Sequence, residues 1–314
     1  MKKTIYIQKS ILSIILLLVL TITVTAQEAF TTVKDSYTFV VIGDWGRNGN
    51  EDQMKSVQSF ANIVEKADAE FIVSTGDNFY PIGVQSVDDI QWMNSFEVPY
   101  KAHPLHIPWY VVLGNHDYRG NAQAQIDYSK RSRRWNMPSR YFTKKHLLED
   151  ASPKTEVQLF YIDTNPFITD YQEHNEEYNV KGQDTKKQLR WLELELKKST
   201  AKWKFIVGHH HIYSGGKRKG EQKELVSTIV PLMKKYNVSA YFNGHEHDLQ
   251  HIERDGLHFI TSGAGSEVRS TGSIEGTKFA KSMHGFVTVS LTNTEALLQF
   301  VDEKEMVQYK LLLQ

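Results

Sequence analysis

The sequence predicts an α/β domain. Apolar runs of strand length stop at a glycine or polar residue at seven places, amphipathic segments of helical period lie between them, and a helix-free apolar stretch closes the chain. The strands are read at 37–43, 71–76, 109–114, 159–163, 204–208, 240–244 and 258–263, each a buried run ending at a turn. A helix over 51–67 places Val57, Phe60, Ala61 and Val64 on one stripe. A second, over 184–198, places Leu189, Leu192 and Leu196 likewise, with Asp184 as its N-cap. A third, over 221–236, uses Leu225, Ile229, Leu232, Met233 and Tyr236. The closing stretch, 286–301, reads as an antiparallel pair.

With 40% hydrophobic and 24% charged residues, a chain of 314 residues can bury a sizeable core. Lys2, Lys3 and Lys9 precede an apolar run over 11–24, too short for a membrane span and of the length of a secretory h-region. Val24-Thr25-Ala26 fits a signal-peptidase site, so 1–26 is read as a signal peptide and 27–314 as one domain of an exported protein, periplasmic or secreted; an uncleaved anchor is the alternative. Removing the leader takes away three lysines and no acid, leaving a mildly acidic chain with no stable membrane span and no basic excess for nucleic acid. The absence of cysteine excludes disulfides and lipid attachment at cysteine, and it limits metal ligands to oxygen and nitrogen.

Five strand ends carry the chemistry: Gly43-Asp44-Trp45-Gly46, Gly76-Asp77-Asn78-Phe79-Tyr80, Gly114-Asn115-His116-Asp117, Gly208-His209-His210-His211 and Gly244-His245-Glu246-His247. Singly, each reads as a turn former, a helix cap or a satisfied polar group. Together they offer a hard or borderline ligand at the same edge of a sheet five times over, which structure alone does not require. Two cations roughly 3.5–4 Å apart need a bridging carboxylate and about three terminal ligands each. In an extended segment His245 and His247 would project the same way and reach neighbouring metals, whereas Asn115 and His116 would point apart. Tyr80, three residues from Asp77, is an uncommon ligand type that calls for a strongly Lewis-acidic ion, ferric iron rather than zinc.

At these residues the sequence resembles the metallophosphoesterases related to calcineurin, and within them the small single-domain purple acid phosphatases, also called tartrate-resistant acid phosphatases. The likeness spans nearly all of 27–314 and includes the strings YVVLGNHD over 110–117, GNAQAQIDYSK over 120–130 and GHEHDLQ over 244–250. Tyr80 separates this group from the wider superfamily. The resemblance implies two β-sheets packed face to face with helices outside, a four-layer αββα sandwich. It implies an Fe(III) site of Asp44, Tyr80 and His247, and a divalent site, iron, zinc or manganese, of Asn115, His209 and His245, with Asp77 bridging. The implied activity is acid hydrolysis of phosphate monoesters, small molecules or phosphoproteins, by a metal-bound hydroxide, with His116 contacting the phosphate and assisting the leaving group.

The chain departs from that pattern in three places. Arg218 stands ten residues after Gly208, where the family has a second histidine; arginine binds phosphate but donates no proton. His210 and His211 replace an aromatic residue and a proline and are assigned packing or supporting roles. The acid- and amide-rich segment 171–187 corresponds, by the resemblance, to a loop near the active-site mouth of such enzymes, and its sequence is unlike theirs. The rival functions are a phosphodiesterase or nucleotidase on the same scaffold, and a phosphate- or metal-binding protein without catalysis. The oligomeric state is left open.

Overall fold

In the computed structural model, which describes residues 28–148 and 154–314, the run Tyr37–Ile42 is a strand buried along nearly its whole length. A strand without a solvent face must be covered on both sides. It pairs in parallel with Ala69–Ser74, which pairs in parallel with Trp109–Val111. The full sheet has eight strands, in the order Glu28–Ala29, Met306–Leu313, Ala296–Asp302, Gly285–Leu291, Tyr37–Ile42, Ala69–Ser74, Trp109–Val111 and Trp135–Asn136. A second sheet has seven, in the order Thr277–Lys281, Leu249–Arg254, Leu257–Ser262, Ala240–Asn243, Trp203–Val207, Thr155–Tyr161 and Phe142–Leu148. In it, the four strands from Leu257–Ser262 to Thr155–Tyr161 are parallel.

The sheets pack face to face through aromatic side chains. Phe39 stacks on Phe71 of its own sheet at 4.9 Å between ring centroids and meets Phe205 and Phe242 of the other edge-on at 5.8 and 6.1 Å. The helix Glu51–Lys66 covers the outer face of the first sheet, laying Phe60, Ile63 and Val64 against Val40, Ile42 and Ile72. Asn50 caps it by accepting from Gln53 N, and acids open its first turn while Lys66 closes its last, as the helix dipole favours. On the second sheet, Leu192 and Leu196 of the helix Thr185–Lys198 join Leu225 and Met233 over Phe160, Ile206 and Tyr241. Asp184 caps that helix through Lys187 N. The layers therefore run helix, sheet, sheet, helix, and all seven strands read from the sequence are present.

Two differences from the sequence reading have a plain physical cause. The helix expected over 221–236 is two, Lys223–Thr228 and Val230–Tyr236. Pro231 has no N–H to give and its ring clashes with the carbonyl four residues back, so the helix restarts at its position. The strand Phe142–Leu148 was not anticipated, because it lies at a sheet edge and its solvent-facing Lys144 and Lys145 break the apolar pattern. The proposed signal peptide, 1–26, lies outside the described residues. Among the described residues no helix is long and apolar enough to cross a membrane.

That edge strand carries a partly buried base. The His146 ring stacks on Phe71 at 4.3 Å and its Nδ1 pairs with the Tyr37 hydroxyl at 2.8 Å. Burial, and secondarily the charge of Lys144, pulls its pKa from 6.5 down to about 4. The unfolded chain therefore takes up this proton first, and the stability present above pH 6.5 is lost as pH falls from there toward 4. Urea denaturation at pH 7 and pH 5 tests this: His146→Phe should narrow the stability gap between the two, and an unchanged gap contradicts the assignment.

Candidate metal centre

The carboxyl ends of parallel strands from both sheets meet at one edge of the sandwich, and the short segments that follow them carry the polar residues. Asp44 follows Tyr37–Ile42, Asp77 and Tyr80 follow Ala69–Ser74, and Asn115 follows Trp109–Val111. From the second sheet, His209 follows Trp203–Val207, and His245 and His247 follow Ala240–Asn243. None of the seven is more than 4% exposed. Asp44, Asp77 and His245 have φ of 58°, 50° and 68°, a left-handed backbone uncommon outside glycine. Such conformations persist only where the surroundings enforce them, and here all three aim a side chain at the same point.

The seven side chains form two groups that share Asp77. On one side the Tyr80 hydroxyl lies 2.9 Å from Asp44 Oδ1, 2.9 Å from Asp77 Oδ2 and 3.1 Å from His247 Nε2. His247 Nε2 is 3.4 Å from Asp44 Oδ1. On the other side His209 Nε2 lies 3.5 Å from Asp77 Oδ1, 3.3 Å from Asn115 Oδ1 and 3.1 Å from His245 Nδ1. The two oxygens of the Asp77 carboxylate thus face different groups, an arrangement that suits a carboxylate bridging two cations.

Supporting contacts hold these atoms in place. His209 Nδ1 meets the Thr75 carbonyl at 2.9 Å, which puts the proton on Nδ1 and the lone pair of Nε2 toward the centre. Asp117 accepts from Asn78 N and Nδ2, Phe79 N, Gly114 N and Gln125 Nε2, tying the Asp77–Tyr80 segment to the Asn115 segment. A Cβ on Gly114 would stand 2.2 Å from Asp77 Oδ1, and one on Gly244 2.2 Å from Asp44 Oδ2, so these glycines serve close approach rather than an unusual turn.

Electrostatics give the cluster its direction. Burial pushes the Asp44 carboxyl up to about 7 against the pull of His209. Asp77 is burdened by burial too, yet His209, His116 and the His116 backbone N–H hold it below the ordinary carboxylate value. Burial and the two carboxylates raise the Tyr80 hydroxyl well above its usual range. Buried carboxylates, a phenol and imidazole lone pairs converge here on the same space, and a cation held there would supply opposite charge. Oxygen and nitrogen donors of this kind suit iron, zinc or manganese.

The structure brings together all seven residues named from the sequence, but by other local routes than expected. Asn115 and His116 lie in a short helix, Asn115–Tyr118, not an extended segment, and the turn still separates their side chains. His245 and His247 are likewise not extended. The left-handed backbone at His245 sends its ring to His209 and that of His247 to Tyr80. His210 lies close enough to His209 and His245 to share an ion with them. Its two ring nitrogens are instead taken by Thr164 Oγ1 at 2.8 Å and Tyr171 hydroxyl at 3.1 Å, which makes it a support. His211 packs against His245. The segment 171–187 contains short helical turns, Thr169–Glu173 and Asn175–Tyr178, and Tyr171 joins it to the centre through His210.

His116 and Arg218 stand at the open edge, with side chains 21% and 43% exposed. His116 Nδ1 meets the Pro81 carbonyl at 2.6 Å, and its Nε2 is 4.0 Å from Asp77 Oδ2. The Arg218 backbone N–H and Nη1 both donate to the buried Glu246 carboxylate. Sequence reading missed the hub role of Asp117 and the anchor role of Glu246. Both lie inside the motif strings, so their position was visible, but their partners come from other parts of the chain.

Comparison with known proteins agrees with this geometry. Residues 37–249 match the calcineurin-like phosphoesterase family. Purple acid phosphatase 4 of Arabidopsis thaliana is 39% identical over 280 residues, 85% of this chain and 80% of that protein. The chain belongs to the purple acid phosphatases of the calcineurin-like phosphoesterase family. Human tartrate-resistant acid phosphatase type 5 is 35% identical over 240 residues, 73% of this chain and 72% of that one. Among solved structures, GAP50, described as the anchor in the inner membrane complex of Plasmodium, superposes with a TM-score of 0.78 at 26% identity over 89% of each chain. Yellow lupin purple acid phosphatase PPD1 shares the fold, with a TM-score of 0.65 at 15% identity over 88% of this chain and 53% of its own.

In a purple acid phosphatase built this way, Asp117→Ala leaves several buried N–H donors unpaired. The expected cost is about 3 kcal/mol of unfolding free energy, together with weaker metal retention. Denaturant titration and metal analysis check this, and a loss below about 0.5 kcal/mol would show that Asp117 is not the hub.

Proposed function

We propose that the chain is a binuclear metal-dependent acid phosphatase that hydrolyses phosphate monoesters. The observation that carries this is the division of the Asp77 carboxylate between Tyr80, Asp44 and His247 on one side and His209, His245 and Asn115 on the other. Fold likeness alone extends to a protein described as an anchor. A complete set of seven buried, convergent donors is what supports an enzyme over a scaffold that only binds.

The first group holds ferric iron, because a phenol among its donors demands a strongly Lewis-acidic ion. The second, of neutral imidazoles and an amide with one carboxylate oxygen, holds a divalent ion, iron, zinc or manganese. When bound, these ions supply positive charge to the phosphate oxygens and acidify the attacking water. The protein orients the ester and manages its leaving group. His116, held by the Pro81 carbonyl, turns Nε2 toward the centre, where it contacts the phosphate and passes a proton to the departing alkoxide. Arg218, fixed by Glu246, presents a permanent charge to phosphate and takes no part in proton transfer. The proton-donor role that a second histidine would share therefore falls on His116 alone. Export through the 1–26 leader completes the reading, which places the enzyme in the periplasm or the medium.

Hydrolysis of an aryl phosphate by the mature protein with iron and zinc present tests the activity. Asp77→Asn should lower kcat at least about 100-fold, more than the loss typical of a residue behind the ligands. A fully active variant, or a kcat/KM higher for diesters than for monoesters, overturns the reading. Arg218→Ala should raise KM about 10- to 100-fold with a smaller effect on kcat, the scale of one hydrogen bond to a charged group. An unchanged KM would remove Arg218 from substrate binding.

A further inference from the structure

The loop after Tyr37–Ile42 carries a cation that the reaction does not use. The Arg47 guanidinium carbon lies 3.9 Å from the centroid of the Tyr80 ring. Its Nε donates to Ser266 Oγ at 3.0 Å, and its Nη2 is 2.8 Å from Glu267 Oε2. Ser266 and Glu267 follow Leu257–Ser262 in the second sheet, so the side chain spans both sheets at the centre. Ser266 also donates to the Asp44 carbonyl, and the Arg47 backbone N–H is held by Gln53 Oε1 at 2.8 Å. Only 20% of the side chain is exposed. With Nε and Nη2 engaged by Ser266 and Glu267, what Arg47 gives Tyr80 is positive charge over the face of its ring.

We propose that Arg47 is a tuning residue for Tyr80, its guanidinium over the ring setting the colour and the reduction potential of the iron that Tyr80 ligates. The inference rests on the assignment of Tyr80 as an iron ligand. The donor electrons of a phenolate occupy the π system of ring and oxygen, and absorption in the visible moves one of them to the metal. A cation over the ring lies closer to those electrons than to the acceptor beyond the oxygen, so it lowers the donor level more and raises the transition energy. The same charge weakens donation by the phenolate, which leaves the ion more electron-poor, easier to reduce and more Lewis-acidic. Glu267 and Ser266 hold the guanidinium over the ring through two separate nitrogens, a fork that the compact, strongly hydrated ammonium of lysine does not reproduce.

The test compares iron-loaded wild type, Arg47→Gln and Arg47→Lys by absorption spectrum, reduction potential and iron content. Arg47→Gln should absorb roughly 10–20 nm to longer wavelength, the scale of removing a desolvated cation from an aromatic face, and its potential should fall. Arg47→Lys should move the same way by less. A coloured wild type with an iron-loaded Arg47→Gln whose band and potential are unmoved overturns this inference and leaves the ligand assignment standing. A colourless, iron-free, active wild type instead overturns the Tyr80 assignment itself. Should Arg47→Gln fail to retain iron, the lysine variant decides, and an unmoved band there overturns the proposal.

Discussion

The structure turns on one carboxylate, Asp77, whose two oxygens serve different groups of side chains. Its position is over-determined. A left-handed backbone aims it, the His116 N–H donates to its Oδ1 at 2.8 Å, and the Tyr80 hydroxyl meets its Oδ2. Burying a carboxylate costs several kcal/mol unless it is paired and hydrogen-bonded. The surrounding imidazoles and N–H groups offset part of that cost, and the remaining concentration of lone pairs is what makes the place a receptor for cations.

The sandwich exists to hold two sheets in register at this point. Asp44, Asp77, Tyr80 and Asn115 come from one sheet and His209, His245 and His247 from the other, so neither sheet alone makes a centre. The aromatic packing of Phe39 and Phe71 against Phe205 and Phe242 fixes the spacing between them. At the edge, Arg47 with Glu267 and Ser266 with the Asp44 carbonyl tie the same two layers through polar contacts. Packing sets the distance and hydrogen bonds set the orientation. Catalysis by a metal pair requires both to be settled before substrate arrives.

The rim of the centre is more open than the seven residues beneath it. There His116 is held by the Pro81 carbonyl and Arg218 by the Glu246 carboxylate. The short helices over 169–178 lean on the centre through the Tyr171–His210 contact and on Arg119 through Tyr178 and Glu177. The rim thus rests on contacts made by Pro81, Glu246, Tyr178 and Glu177, outside the seven residues of the centre beneath it.

The sequence alone determined seven of the strands and the closing antiparallel pair, the layered α/β class and the seven residues that converge. Buried parallel strands leave continuous apolar runs, and ligands placed just after them need little backbone between. It could not show that a single proline divides the helix at 223–236, or that a lysine-bearing edge strand closes the second sheet, because edge strands carry a mixed pattern. Nor could it show what Asp117, Glu246 and Arg47 do. Asp117 reaches Asn78 across 39 residues, Glu246 reaches Arg218 across 28 and Arg47 reaches Ser266 across 219, and such contacts are decided by how the two sheets pack, a property that no local spacing encodes.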